Sequence, residues 1–177
     1  ATARSCRSAN SVVITISVMG AVPHGQALLR SGARAGDDLW VSGTLGDAAF
    51  GLAARQGASS VGGDAVAAIE RLERPRPQVA LGLALRGLAT SAIDVSDGLL
   101  GDLGHILERS AVGARVAWDR IPRSAELRRQ PEADQRRWAL AGGDDYELLF
   151  TAPTGGRQAV EDAATAAGAT VTRIGEV

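Results

Sequence analysis

Ser91-Ala92-Ile93-Asp94-Val95-Ser96-Asp97-Gly98-Leu99-Leu100-Gly101-Asp102-Leu103-Gly104-His105 is the stretch on which the reading of the fold turns. Ser91–Asp94 reads as a short buried strand, and Ser96-Asp97-Gly98 as the cap of a helix over Leu99–Glu108. Leu99, Leu100, Leu103, Ile106 and Leu107 fall at i, i+1, i+4, i+7 and i+8, which is one helical face. The chain has no internal repeat. On the N-terminal side, Ser11–Met19 is a β-branched strand, Gly20–Gly36 a connector with a short helical piece at Gln26–Arg30, and Asp38–Ser42 a second strand. Helices follow at Ala48–Gln56, at Asp64–Leu72 with Asp64 as N-cap, and at Gln78–Leu88 after the breaker Arg74-Pro75-Arg76-Pro77. On the C-terminal side come a strand at Ala114–Trp118, helices at Arg123–Arg129 and Glu132–Leu140, a strand at Tyr146–Ala152, a helix at Gln158–Ala167 and a strand at Thr170–Ile174. Helices and strands are interspersed throughout, so the expected class is α/β or α+β, with helices packed on a mixed sheet.

Composition narrows the chemistry. The chain has 177 residues, 45% of them hydrophobic and 22% charged, enough to bury a core and too apolar for intrinsic disorder. A net charge of −1 gives no whole-chain footprint for nucleic acid or an anionic membrane. The lone cysteine, Cys6, excludes an intramolecular disulfide and any cysteine-based metal cluster. All nineteen basic residues are arginine, so a Walker-A lysine and a Schiff-base lysine are excluded. The run Val12–Val18 is too short to span a bilayer, the first ten residues lack a signal-peptide core, and the expected location is the cytoplasm.

Four places carry candidate chemistry. At Asp94-Val95-Ser96-Asp97-Gly98 the backbone amides of a helix start attract phosphate, while two carboxylates repel it. A divalent cation between them resolves the conflict, since magnesium takes one or two carboxylates plus phosphate oxygens. Asp94 and Asp97 then hold the metal and Ser96 donates to a phosphate oxygen; the competing reading is an ordinary N-cap cluster. At Gly142-Gly143-Asp144-Asp145-Tyr146-Glu147-Leu148 three acids crowd a strand entrance and require a cationic partner: a metal, a cationic ligand or an arginine. Tyr146, Leu148 and Phe150 should share one face of that strand, with Glu147 and Leu149 on the other. Gly43-Thr44-Leu45-Gly46-Asp47 is either a phosphate-cradling turn or a helix start capped by Asp47. Arg30, ahead of Ser31-Gly32, could reach a phosphate through its guanidinium fork. His24 and His105 stand isolated.

The segments Ala27–Asp37, Val41–Asp47, Arg74–Pro77, Ser91–His105 and Gly142–Leu148, in this order, resemble the thiamine-monophosphate kinase family. That family belongs to a superfamily with aminoimidazole ribonucleotide synthetase and selenophosphate synthetase. The Gly-Gly-Asp-Asp-Tyr-Glu-Leu segment is the most specific of these, because it separates the kinase from its relatives. The resemblance implies an α+β fold like the C-terminal domain of that superfamily. It also implies ATP-dependent phosphorylation of thiamine monophosphate to the diphosphate. By motif, Asp94 and Asp97 would be Mg²⁺ ligands, Ser96 and Arg30 would contact ATP, and Asp144 would contact the substrate. Residues 1–35 would be a remnant of an N-terminal ATP-binding domain with its linker, and 36–177 the C-terminal domain, short of its tail. The family's further magnesium-binding aspartates and its C-terminal substrate-stacking aromatic are not found in the chain. Little kinase activity is therefore expected of the chain alone, and any homodimer would form through the missing domain. The competing readings are an aminoimidazole ribonucleotide synthetase-like ligase and a non-catalytic truncated domain.

Overall fold

The structure, a computed structural model, describes residues 2–8, 11–58 and 65–177. Strands β1 (Thr2–Ser8) and β2 (Ser11–Ser17) pair antiparallel as a separate two-stranded sheet. β2 matches the β-branched run in the sequence. β1 carries no such run, and its strand conformation follows from pairing with β2 from Thr2↔Ser17 to Ser8↔Ser11.

The main sheet has five strands: β3 (Asp37–Ser42), β4 (Ser91–Val95), β5 (Arg115–Val116), β6 (Glu147–Pro153) and β7 (Val171–Glu176). Their order is β4-β6-β3-β7-β5, and every pairing is antiparallel. The class is α+β, as expected, but the sheet is antiparallel rather than mixed. The helix-bearing connections from β3 to β4 and from β6 to β7 resemble parallel crossovers in the sequence. Each instead skips one place, and an oppositely directed strand fills the gap.

Both faces of the sheet are covered, which explains why β3, at the centre, is buried at all six positions. On one face Leu39, Val41, Ile93, Val95 and Leu149 pack against Leu99, Leu103 and Ile106 of α4 (Leu99–Ser110), with Ala139 of a later helix. On the other face Trp40, Phe150 and Ala152 meet Leu81 of α3 (Val79–Ala84), Leu85 just beyond it, and Val160 and Ala164 of the last helix. Leu149 and Phe150 therefore lie on opposite faces, as period-two alternation requires. A satellite core joins Phe50 of α1 (Asp47–Arg55), Ala68 of α2 (Val66–Glu73), Leu127 of α5 (Ala125–Arg128) and Trp138 of α6 (Glu132–Ala141). The remaining helix is α7 (Arg157–Ala166).

Several expectations change. Gln26–Arg30 forms no helix; the Leu29 carbonyl accepts from Ala92 N at 2.9 Å, so this segment lies along the free edge of β4. The helix expected over Gln78–Leu88 stops at Ala84 and gives way to a turn in which Gly87 adopts φ 78°. The strand expected at Ala114–Trp118 shrinks to β5, followed by a 3₁₀ turn at Trp118–Arg120. α5 is shorter than the expected Arg123–Arg129, because Ser124 caps its start by accepting from Leu127 N at 3.1 Å. The N-cap expected at Asp64 lies outside the described residues. No helix among the described residues is long and apolar enough to cross a membrane.

Candidate active site

Two acidic segments far apart in sequence meet at the end of the β4–β6 ladder. The last pair is Val95↔Glu147, and two backbone bonds extend it: Tyr146 N donates to the Val95 carbonyl at 2.9 Å and Asp144 N to the Ser96 carbonyl at 3.0 Å. Glycine permits this approach. A Cβ at Gly143 would stand 2.4 Å from the Ser96 carbonyl oxygen, and one at Gly98, where φ is 100°, would stand 2.9 Å from the Ala141 carbonyl carbon.

Asp94, Asp97 and Asp144 are exposed on this junction. The Tyr146 hydroxyl donates to Asp144 Oδ1 at 3.3 Å. Asp144 and Tyr146 both adopt left-handed backbone conformations, with φ of 68° and 51°, which are rare for residues with a side chain. The negative charge of Asp144 is the main cause that pushes the Tyr146 phenol above its ordinary value. Burial and the hydrogen bond to Asp144 follow, then the charges of Asp94 and Asp97. All three carboxylates thus act on one phenol. None of them has an arginine partner among the described residues, although the chain forms such pairs elsewhere.

The loop that carries Ser96 and Asp97 is fixed from inside the helix it precedes. Buried Asp102 accepts from Ser96 N at 2.9 Å and from Asp97 N at 3.0 Å. The start of α4 therefore has no side-chain cap from Ser96 or Asp97: its N-cap is Gly98, and Asp102 serves the amides before it. Composition and spacing did not single out Asp102. An acid four positions after the turn glycine was the available signal.

Behind the junction, the other two acids of the hairpin entrance find the partners that their crowding requires. Asp145 is buried and accepts from Gly46 N at 2.6 Å and Ala48 N at 3.1 Å. Its carboxyl is pushed up to about 7, chiefly by burial; the two amides pull the other way and nearby Asp47 adds to the rise. The Gly43–Asp47 turn is consequently neither capped by Asp47 nor open to phosphate at these amides, because Asp145 fills the helix start. Asp47 instead accepts from Thr44 Oγ1 and Ser124 Oγ, each at 2.5 Å. Glu147, also buried, accepts from Ser42 Oγ at 2.5 Å, Arg71 Nη2 at 2.8 Å and Gln78 Nε2 at 2.9 Å.

Arg30 stands apart from the carboxylates. Its carbonyl accepts from Ser110 Oγ at 3.4 Å, at the C-terminal end of α4, whose twelve residues span about 18 Å from the Asp97 end. Its side chain is exposed, as are His24 and His105. Among the described residues no three His, Cys, Asp or Glu side chains form a closed metal-binding group. What the junction offers is three exposed carboxylates, Asp94, Asp97 and Asp144, whose charges all reach the Tyr146 phenol.

Comparison with known proteins agrees with this architecture. The thiamine-monophosphate kinase of Escherichia coli (strain K12) is 48% identical over 167 residues, covering 93% of this chain and 51% of that protein. The crystal structure of thiamine-monophosphate kinase from Stenotrophomonas maltophilia K279a superposes with a TM-score of 0.80 at 50% identity, covering 88% of this chain and 51% of that one. The solved AaThiL complexed with AMPPCP and TMP gives a TM-score of 0.71 at 33% identity, covering 85% of this chain and 47% of that one. The chain thus spans about half the length of the relatives it matches. Residues 34–177 match the family described as AIR synthase related protein, C-terminal domain. From strand β3 to its last residue, this chain belongs to that family.

Proposed function

We propose that the chain supplies the C-terminal half of an ATP-dependent thiamine-monophosphate kinase, a phosphotransferase whose acceptor is itself a phosphate. The observation that carries this reading is the convergence of Asp94, Asp97 and Asp144, without an arginine partner among the described residues, on one exposed junction. The kinase relatives and the AMPPCP and TMP bound to a similar protein support it. In this reading residues 1–35 are a remnant of an N-terminal ATP-binding domain with its linker, and 36–177 are the C-terminal domain. A homodimer would form through the N-terminal domain, in the cytoplasm. The chain alone would have little or no kinase activity.

The residues fit a magnesium ion. Ser96 N and Asp97 N are already taken by Asp102, so those amides are not free to bind phosphate directly. The exposed carboxylates would repel an incoming phosphate unless a cation lay between. Asp94 and Asp97 would hold Mg²⁺, which when bound supplies the positive charge that phosphoryl transfer between two anions needs. The Ser96 hydroxyl donates to a phosphate oxygen, and exposed Arg30 on the β4 edge contacts the nucleotide. Asp144 faces the cationic thiamine ring system, oriented by the Tyr146 hydroxyl. Asp102 acts one step back, fixing the backbone from which Ser96 and Asp97 project.

Calorimetric titration of the chain tests this. AMPPCP should bind only with Mg²⁺, and Asp94→Asn and Asp97→Asn should lose that binding. Thiamine monophosphate should bind more weakly to Asp144→Asn. Magnesium-independent nucleotide binding, unchanged in the aspartate variants, would refute the assignment.

A further inference from the structure

We infer that the cleft formed by Arg71, Arg74 and Arg76 is a binding subsite for a phosphate group, separate from the Asp94–Asp97 carboxylates. The cleft has a volume of about 280 Å³ and is lined by Ala67, Glu70, Arg71, Arg74 and Arg76. Its charged lining is thus three arginines and one glutamate. That volume lies just under the range of about 300–1,000 Å³ typical of sites for whole drug-sized ligands, so it suits a single charged group.

Two of the three arginines are without an ion-pair partner: Arg74 and Arg76 form no ion pair among the described residues, and Glu70 forms none either. Glu73, the nearest other acid in sequence, is engaged by Arg55. The cleft is also preorganised. Arg71 is pinned by Glu147 Oε1 at 2.8 Å and by the Thr44 carbonyl at 3.3 Å. Pro75 and Pro77 fix φ on either side of Arg76, so less freedom is lost when the arginines close on a ligand. Planar guanidinium forks match the paired oxygens of a phosphate monoester or diphosphate. Through Arg71 the cleft is tied to Glu147, the first residue of β6, which directly follows Asp144 and Tyr146 of the junction in the chain.

The test is titration of the chain with inorganic pyrophosphate in EDTA, which removes any contribution from a carboxylate-bound metal. The wild-type chain should bind, and Arg74→Gln/Arg76→Gln should bind at least about tenfold more weakly, since each lost charge-assisted bond is worth about that factor. Asp97→Asn should bind like wild type. Both arginines are exposed and unpaired, so the double variant should keep the wild-type circular dichroism spectrum and melting temperature. Displacement by thiamine monophosphate but not thiamine assigns the site to the acceptor, displacement by AMPPCP assigns it to the nucleotide, and displacement by neither assigns it to a free inorganic anion. No binding to wild type, equal binding to the double variant, or equal loss in Asp97→Asn overturns the subsite. Magnesium-dependent AMPPCP binding would still stand in each of those cases, so the two readings fail separately.

Discussion

Asp145→Asn should change how the stability of the protein depends on pH. Buried Asp145 titrates at about 7, against 3.8 for a free aspartate, because desolvation outweighs the amides of Gly46 and Ala48. A displacement of roughly three pH units at about 1.4 kcal/mol each amounts to about 4 kcal/mol. The folded state binds the proton more tightly than the unfolded chain. This stabilisation is therefore complete below pH 3.8 and is lost as pH rises through about 7. Roughly 2 to 3 kcal/mol of the loss falls between pH 5 and pH 8. Asparagine is nearly isosteric with the protonated acid and does not titrate. It does turn an N–H toward one of the two backbone donors, at a constant cost of about 1–3 kcal/mol. Urea unfolding followed by tryptophan fluorescence, at intervals from pH 5 to pH 8, measures both proteins. Wild type should lose its advantage over the variant steadily across that range. A stability difference that stays constant with pH would refute the claim that Asp145 is held protonated in the fold.

Asp102→Ala should cost about 1–3 kcal/mol by stranding Ser96 N and Asp97 N, and should weaken magnesium-dependent AMPPCP binding although Asp102 touches no ligand; chemical denaturation and calorimetry read the two effects. Gly143→Ala drives a methyl against the Ser96 carbonyl and should lower stability by about 1–3 kcal/mol, visible as a reduced melting temperature. Asp38 is held below the usual carboxylate range chiefly by its hydrogen bond to Arg157, with Arg173 assisting. Its contribution is present above 3.8 and is lost as pH falls through its depressed value, so Asp38→Asn should flatten the acid side of the stability profile measured by urea unfolding.

The parts of the fold visible in the sequence are those that depend on local pattern. The 3.6-residue spacing of Leu99, Leu103 and Ile106 marked α4, and β-branched or alternating runs marked β2, β3 and β6. The unread parts depend on distant partners. Thr2–Ser8 becomes a strand because β2 lies alongside it, and Gln26–Arg30 stays extended because the edge of β4 takes the Leu29 carbonyl. The direction of the strands was hidden for the same reason, since a helical connection is compatible with a neighbouring strand or with one two places away. In the candidate site, Asp94, Asp97 and Asp144 stood out as clustered acids. The partners of Asp145 did not, because Gly46 and Ala48 lie 99 and 97 residues earlier and a local aspartate, Asp47, was available as a decoy. Arg30 was legible as a cation ahead of a small polar turn, but the position of its backbone beside Ser110, at the opposite end of α4 from the acids, was not.

The junction of β4 and β6 divides labour between main chain and side chain. Amide-to-carbonyl bonds and two cramped glycines fasten the two loops together, while Asp94, Asp97 and Asp144 project outward and bear no weight in that fastening. Asp94 and Asp97 can therefore be exchanged while the main-chain frame stays in place, whereas Asp144 is tied to a left-handed backbone at φ 68° that tolerates little beyond aspartate, asparagine or glycine.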